Sequence, residues 1–202
     1  MSLQITKESG SVYDPVFLKI LEDIPGGVTL KTNRFPTTTD EIKKGAMLNA
    51  SASSVGLYNL VKTARVIHGV SKSTLATIMY LDPDNEFIVG EYITYGGAGC
   101  AQTITKITKG TVSDLVVIAG SMILAIPSAG VLYETAAEGT SVAKYDTDAI
   151  LRSTVKVRGD DDVLLDNVFA GVVVRGTVDE SELPYFVTDQ QKTDLTARIR
   201  FA

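Results

Sequence analysis

The sequence predicts a mainly β protein, an antiparallel β-sandwich or barrel with a short helix at each end. The first observation is a series of short apolar runs, rich in β-branched residues and concentrated between residues 87 and 134. The second is their spacing, because glycines and Asp-Asn or Ser-Asp pairs separate the runs as tight turns separate paired strands. The third is a change to helical patterning near both ends of the chain.

The start of the chain, residues 1–27, is predicted to form an arm followed by a short apolar helix. Residues 1–13 are polar, and the next two residues, Asp14 and Pro15, suit the N-cap and the first position of a helix. Apolar residues then recur at helical spacing up to a Pro-Gly-Gly break, and so short a helix must pack on the core or on a neighbouring subunit. The apolar stripe consists of Val16, Phe17, Ile20, Leu21 and Ile24.

The middle of the chain, residues 28–186, is predicted to form a β-rich body. Residues 58–69 fit neither the helical nor the strand period cleanly, but their β-branched content and a flanking glycine favour a strand. The valines at 172–174 are the best candidate for a strand buried on both faces. The predicted strands are residues 28–35, 58–69, 74–81, 87–95, 101–107, 114–118, 122–126, 129–133, 149–151, 154–157, 163–165 and 168–178.

The end of the chain, residues 187–202, is predicted to contain a short helix. Thr188 and Gln191 have the spacing of a capping box, in which the threonine is the N-cap and the glutamine is the third helical residue. We expect this helix to extend to about Ala197.

Composition restricts the kinds of site that the chain can build. One cysteine and one histidine among 202 residues allow neither an internal disulfide nor a zinc site of Cys and His ligands within one chain. No apolar run approaches the roughly 20 residues of a membrane span, and residues 1–10 lack a cleavable apolar stretch. We therefore expect no membrane partner and a chain that is made in a cytoplasm.

The net charge of −5 argues against a nucleic-acid partner, but the charge is unevenly distributed along the chain. Residues 28–80 carry seven Lys or Arg against two Asp or Glu, whereas residues 81–202 carry ten against eighteen. If these segments occupy different faces, the molecule is electrically polar and can dock in a preferred orientation; otherwise both sets of charges are simply solvated.

The residues that could support chemistry are isolated from suitable partners. His68 has no obvious triad, and Cys100 lies among small residues without a positive neighbour. The glycine-rich run at 96–99 lacks the Lys-Ser/Thr of a phosphate-binding loop, and the aspartates at 160–162 lack the alternating ligands of a calcium loop. We discount the Arg-Gly-Asp tripeptide at 158–160 as a chance match. We expect no catalytic, cofactor or metal site, and the enzyme alternative is a hydrolase that uses the Asp-rich loops.

Several short motifs occur in a characteristic order along the chain. They include Phe-Ile-Val-Gly-Glu-Tyr-Ile at 87–93 and Val-Val-Arg-Gly-Thr-Val at 173–178. This layout resembles the head-fibre and capsid decoration proteins of tailed bacteriophages, especially those of Bacteroidetes phages including the crAss-like group, and it covers roughly residues 28–202. The motifs lie at 43–48, 87–93, 104–107, 114–117, 129–132, 173–178, 183–185 and 199–201.

The resemblance implies a structural virion protein rather than an enzyme. Such proteins are β-rich, usually multimeric and often trimeric. They assemble in the bacterial cytoplasm and lie on the outside of the capsid. On that surface they reinforce the shell or carry a fibre. The implied partners are the major capsid protein and further copies of the chain. The alternative is a carbohydrate-binding or adhesive β-sandwich module. The expected capsid contacts are Val16, Phe17, Ile20, Leu21, Lys31, Arg34, Lys43 and Lys44.

Overall fold

The computed structural model describes residues 15–69, 77–83, 85–97, 100–120 and 125–202. In these ranges 41% of the chain is strand and 6% is helical, which confirms the predicted mainly β class. The helices are a 3-10 turn, Glu180–Glu182, and one α-helix, α1, Asp189–Leu195. The strands are β1 Phe17–Asp23, β2 Val28–Lys31, β3 Glu41–Ile42, β4 Met47–Ala50, β5 Leu57–Leu60, β6 Thr63–Arg65, β7 Ile78–Leu81, β8 Tyr92–Thr94, β9 Gln102–Thr108, β10 Asp114–Ile118, β11 Val131–Thr135, β12 Ala149–Leu151, β13 Val155–Lys156, β14 Asn167–Ala170, β15 Val172–Val178 and β16 Ile199–Phe201.

Eight strands form the larger sheet, in the order β1-β15-β12-β4-β5-β2-β14, with β16 beside β15. The pairs β2–β5 and β15–β16 are parallel and the other pairs are antiparallel, so the sheet is mixed rather than purely antiparallel. Strand β14 lies at one end of this order and β15 near the other, although only Gly171 separates them in the chain. The sheet must therefore curl so that its two ends approach each other.

The curled sheet has an apolar core on each of its two faces, because successive residues of a strand point to opposite sides of the sheet. Leu48 faces inward and Met47 outward, and Val172 and Val173 divide in the same way, which confirms the strand predicted to be buried on both faces. Helix α1 covers the outer face through Leu195, and strand β16 covers it through Ile199. The inner core contains Val28, Leu30, Phe35, Ile42, Ala46, Leu48, Tyr58, Leu60, Ala149, Leu151, Val157, Val168, Ala170 and Val172.

A second sheet has six strands, in the order β6-β11-β8-β9-β10-β7, and it closes into a small antiparallel barrel. Closure occurs where the chain beyond β6 pairs with β7: Val66 bridges to Leu81, and the Ile67 N–H donates to the Tyr80 carbonyl at 2.9 Å. The barrel is inserted in the chain between β5 and β12 of the larger sheet. Its core contains Ala64, Val66, Met79, Leu81, Phe87, Ile93, Ile104, Val116, Ile118, Ile126 and Leu132.

The predicted N-terminal helix is wrong, because the residues from Phe17 to Asp23 form the edge strand β1. This strand pairs antiparallel with β15 from Phe17 opposite Val178 to Asp23 opposite Val173, with register shifts between these ends. The shifts interrupt strict alternation, which is why the apolar spacing imitates a helix. Pairing with a long strand also supplies backbone hydrogen bonds that a marginal helix would have to make alone. Asp14 and the predicted arm lie outside the described residues.

The predicted C-terminal helix is confirmed, with both bonds of its capping box formed between Thr188 and Gln191. It ends at Leu195, however, and the chain then forms β16, so the segment 187–202 is a helix followed by a strand. The predicted strand at 163–165 is reduced to one bridge, between Arg158 and Leu164. None of the helices in the described ranges has the length and apolar composition of a membrane span.

Candidate functional site

A cluster of charged side chains joins the larger sheet to the barrel. Arg34 lies in the loop after β2, and Lys62 lies between β5 and β6, whereas Glu91 precedes β8 and Glu134 is part of β11 in the barrel. Glu91 Oε1 is 2.8 Å from Arg34 Nη2 and 2.6 Å from Lys62 Nζ. Arg34 also forms an ion pair with Glu134 Oε1. The larger sheet and the barrel are therefore connected by paired charges.

Two more residues extend this cluster from the chain that follows β11. Lys144 Nζ lies 2.7 Å from Glu134 Oε1, and Tyr145 accepts a hydrogen bond of 2.6 Å from Arg34 Nη1. The Arg34 guanidinium also lies 5.4 Å from the centroid of the Tyr145 ring, within the range of a cation–π contact. We call Arg34, Lys62, Glu91, Glu134, Lys144 and Tyr145 the junction cluster.

Burial makes the junction cluster energetically sensitive. The side chain of Lys62 is 1% exposed, and this burial lowers its pKa, an effect that Glu91 opposes by attraction and hydrogen bonding. Burial by itself would lower the pKa of Arg34 as well, but the charges of Glu134 and Glu91 outweigh it and raise that pKa. Removing one member of a buried pair leaves an uncompensated charge, which typically costs about 3–5 kcal/mol.

A cleft of about 420 Å³ opens beside the junction cluster, between β11, the following loop and the start of α1. Two polar atoms of residues that line it are buried and have no hydrogen-bond partner among the described residues: Glu134 Oε2 and Gln191 Nε2. The lining residues are Val61, Lys62, Tyr133, Glu134, Ser141, Val142, Ala143, Tyr145, Asp146, Thr188, Gln190 and Gln191. We call this the junction cleft.

The local structure explains why these two atoms have no hydrogen-bond partner among the described residues. Gln191 is the third residue of α1, and its Oε1 accepts the Thr188 N–H at 2.7 Å to complete the capping box, so its amide nitrogen is directed elsewhere. Glu134 uses Oε1 for its ion pairs with both Arg34 and Lys144. One carboxylate oxygen and one amide group of residues that line the cleft are therefore buried without a hydrogen-bond partner in the described part of the chain.

A second cleft, of about 460 Å³, lies near Asp114. This fully buried carboxylate accepts hydrogen bonds from Asn85 Nδ2 at 2.6 Å, Lys109 Nζ at 2.7 Å and the Gly110 N–H at 3.1 Å. Asn85 Oδ1 is buried with no partner in the described part of the chain. Because the charge of Asp114 is matched by Lys109, this cleft shows one unsatisfied acceptor rather than a complementary pair.

Strand β1 presents a different feature, an apolar surface at the edge of the larger sheet. Leu18, Ile20 and Leu21 are exposed, and the side chain of Leu21 is the most exposed of the three, at 58%. Strand β15 lies on one side of β1, and no described strand lies on the other. Exposed apolar side chains thus lie on a strand that has a described strand partner on one side only.

The structure does not bring the eight sequence-predicted contact residues onto one surface. Val16 and Phe17 are buried in the outer-face core, whereas Ile20 and Leu21 are exposed on β1. Arg34 belongs to the junction cluster and Lys31 is half-buried on β2. The remaining two, Lys43 and Lys44, lie in the turn before Gly45.

That turn approaches the beginning of β1, because a Cβ added to Gly45 would lie 3.2 Å from Val16 Cγ1. Lys43 is exposed and Lys44 is half-buried, so two of the predicted basic contacts lie in a turn near the beginning of β1. Gly45 has a φ of +92°, a conformation that side chains other than glycine rarely adopt.

The remaining candidates from the sequence have ordinary environments. His68 is exposed and packs edge-on against the Tyr80 ring, and Cys100 is buried, as predicted. The Asp-rich turn is exposed, and Arg158 of the Arg-Gly-Asp tripeptide pairs with Asp40 at 2.8 Å. In the described ranges, no three His, Cys, Asp or Glu side chains are grouped so that they could hold a metal ion.

Sequence reasoning missed most of the junction cluster, although a signal was present. Lys62, Glu91 and Glu134 each lie within or directly beside an apolar run that was expected to form a strand, and charged residues are rarely buried unless they are paired. Gln191 was identified only as a helix cap, and its free amide depends on the cap geometry. No protein-family model, no curated protein and no solved structure matches this chain.

Proposed function

We propose that the chain is a structural protein of a tailed-phage virion that binds the outer face of the capsid and associates with copies of itself. It cements the shell or carries a fibre there, after assembly in the bacterial cytoplasm. The observation that carries the proposal is the exposed apolar edge formed by Leu18, Ile20 and Leu21 on β1. The resemblance described above supports the capsid and further copies of the chain as the partners.

An exposed edge strand is a surface at which another strand can add. Its free N–H and C=O groups pair with an incoming backbone, and apolar side chains on both partners are removed from water. Proteins that stay monomeric commonly protect such edges with charges, prolines or bulges. Strand β1 has register shifts but keeps three exposed apolar residues, which favours its use as a contact surface.

Lys43 and Lys44 provide the proposed charged part of the same contact, because their turn lies beside the beginning of β1. Contacts of this kind become strong when they are repeated over a shell. A protein that binds only the assembled lattice stabilises it by mass action, and linkage within an oligomer raises the effective concentration of each further contact.

Replacing Leu21 by Glu tests the apolar edge, since it places a charge where a partner strand would pack. The matched control is Val163→Glu, because Val163 is also 58% exposed but lies in the loop before β14. Sedimentation velocity measures self-association, and co-sedimentation with shells of the major capsid protein encoded by the same phage measures attachment. We expect Leu21→Glu to weaken shell binding at least about tenfold, a change of 1.4 kcal/mol, and Val163→Glu to bind like the wild type.

The proposal fails if the wild-type chain is monomeric and does not sediment with the shells, or if Leu21→Glu binds as well as the wild type. Salt provides a separate test of the lysines, because screening weakens contacts between exposed charges. Shell binding that does not change with ionic strength would remove Lys43 and Lys44 from the contact while leaving the apolar edge in place.

A further inference from the structure

A buried carboxylate of the barrel holds an amine and an amide at the same oxygen atom. Asp114 is fully buried, and its Oδ2 accepts hydrogen bonds from Lys109 Nζ at 2.7 Å and from Asn85 Nδ2 at 2.6 Å. Lys109 Nζ also donates to the backbone carbonyl of Asn85 at 2.7 Å. The amine of one side chain and the amide of another are therefore held together by a shared partner.

The pairing of three neighbouring strands brings these residues together. Asp114 is the first residue of β10 and lies opposite Leu81, the last residue of β7. Lys109 directly follows β9, which pairs with the other side of β10, and Asn85 lies in the segment after β7. Asn85 Nδ2 also donates to the Asp82 carbonyl at 3.1 Å, which helps to orient the amide.

These three side chains supply the groups that a transamidation requires. An amine that has lost a proton is a nucleophile, an amide carbon is an electrophile, and a carboxylate can accept a proton and return it. The reaction joins two side chains of one chain, so it needs no ligand to enter from solvent, and their fixed proximity replaces a collision. Asn85 is only 4% exposed, which limits attack on its amide by water.

We propose that Lys109 and Asn85 condense to form an isopeptide bond, with Asp114 as the proton carrier. Asp114 takes one proton from the Lys109 ammonium, and the electron pair left on Nζ attacks Asn85 Cγ. As the Cγ–Nδ2 bond breaks, a second proton passes from Nζ to Nδ2, and ammonia leaves with the bonding electron pair. The ammonia accepts the proton held by Asp114. The products are one amide bond, one ammonium ion and the original carboxylate, and no oxidant or reductant is consumed.

The cleft near Asp114 provides room for this reaction and an exit for its product. Its volume is about 460 Å³, and Asn85, Lys109 and Asp114 are all among its lining residues. Attack requires Nζ to approach Cγ to about 3–3.5 Å. The Lys109 side chain is 36% exposed, so its tip has space to turn from the backbone carbonyl of Asn85 towards the side-chain amide of the same residue.

The bond would join the segment after β7 to the end of β9 and would enclose β8 in a covalent loop. A cross-link of this kind restricts the unfolded chain and so favours the folded barrel. None of the three residues belongs to β1, so the proposal does not depend on attachment to a capsid.

Mass spectrometry of the full chain under denaturing conditions tests for the bond. We expect the mass to be lower than that of the sequence by one ammonia molecule. Digestion with trypsin should leave residues 73–106 joined to residues 107–144, because a linked Lys109 is no longer a cleavage site. A succinimide formed at an asparagine loses the same mass but leaves the two peptides separate, so ammonia loss without linked peptides overturns the inference.

Two variants separate the roles of the amine and the carboxylate. Lys109→Arg keeps a positive charge beside Asp114 but removes the nucleophilic amine, and we expect no linked peptides. Asp114→Asn keeps the amine and the amide but removes the proton acceptor. Because positioned acids and bases typically contribute about 10²–10⁴-fold, we expect its linked fraction to fall at least about tenfold. The control Lys106→Arg changes an exposed lysine of β9 outside the cleft and should link as fully as the wild type.

Circular dichroism reports whether each variant is folded, and Lys109→Arg decides the question if Asp114→Asn is not. The inference is overturned if the wild-type chain has the full mass of its sequence and its tryptic peptides are separate, which would leave only an ion pair and hydrogen bonds at Asp114. It is also overturned if linked peptides persist in Lys109→Arg, or if folded Asp114→Asn links as fully as the wild type.

Discussion

The barrel and the larger sheet differ in whether their outermost strands are paired on both sides. In the barrel, β7 pairs with the chain beyond β6, so the described strands close on themselves. In the larger sheet, β1 remains at the edge, with Leu18 and Leu21 exposed. Closure removes the backbone groups to which another strand could add, whereas an open edge retains them. The difference locates the proposed self-association on the larger sheet rather than on the barrel.

The apolar cores of the larger sheet and the barrel differ from the junction between them, which contains buried charges. Each has its own apolar core, and the junction between them is built from buried ion pairs around Glu91 and Glu134. An apolar contact tolerates small displacements, but a buried charge depends on its partner being in place. The junction should therefore be more sensitive to single substitutions than an apolar contact would be.

Replacing Glu91 by Gln has the largest expected effect on stability. It keeps the shape of the side chain but leaves Lys62 buried without its carboxylate, and we expect the free energy of unfolding to fall by about 3–5 kcal/mol. Urea unfolding measures this change. Glu22→Gln is the control, since Glu22 and Arg175 are 3.9 Å apart and both exposed, and exposed pairs contribute about 0–1 kcal/mol. Equal effects of the two variants would show that burial does not govern the junction.

Truncating Leu132 to Ala tests the closed barrel. Leu132 is fully buried in the barrel core, so its loss removes apolar burial and leaves a cavity. We expect urea unfolding to show a loss of about 2–5 kcal/mol. A loss below about 0.5 kcal/mol, as is usual for surface positions, would mean that the barrel core is not packed as described.

Raising the pH should reveal the burial of Lys62. Because burial lowers its pKa in the folded protein below the ordinary lysine value of 10.5, the unfolded chain holds more protons between the folded pKa and 10.5. The unfavourable contribution of Lys62 is fully present below this window, and the free energy of unfolding rises with pH through it. We expect the stability of the wild type relative to Lys62→Met to increase as the pH approaches 10.5.

Urea unfolding of both proteins over a pH series measures this difference. The comparison cancels Tyr58 and Tyr133, whose pKa values are raised by burial and which act in the opposite direction near pH 10. A difference that stays constant through the alkaline range would contradict the assigned environment of Lys62.

Leu21→Ala has the smallest expected effect on stability and completes the contrast with Leu132. Because Leu21 is exposed on β1, its truncation should change the free energy of unfolding of the dilute protein by less than about 0.5 kcal/mol. Urea unfolding at low protein concentration measures this value. A large loss would indicate that Leu21 contributes to the fold of one chain rather than to a contact between chains.

Local patterns predicted the parts of the fold in which neighbouring residues determine the structure. The capping box of Thr188 and Gln191 and the double burial of Val172 and Val173 follow from local spacing alone. The N-terminal helix was wrong because register shifts in β1 depend on β15, which lies far away in the chain. Patterns within one segment do not contain that information.

The candidate site was less predictable for the same reason. Arg34 was among the expected contact residues, but its partners Glu91 and Glu134 lie 57 and 100 residues away in the chain. The free donor of Gln191 depends on which of its two amide atoms completes the cap. Attachment to a capsid and the partner of the β1 edge remain predictions.

The pairing of β15 with both β1 and β16 has a practical consequence for labelling. Phe17 and Phe201 are both register partners of Val178, on opposite sides of β15. A chain that enters at Phe17 and a chain that leaves at Phe201 therefore reach the same end of one central strand. A fluorophore or fused domain attached after Ala202 would stand close to the start of β1, and a label within the barrel would leave that end of the molecule unobstructed.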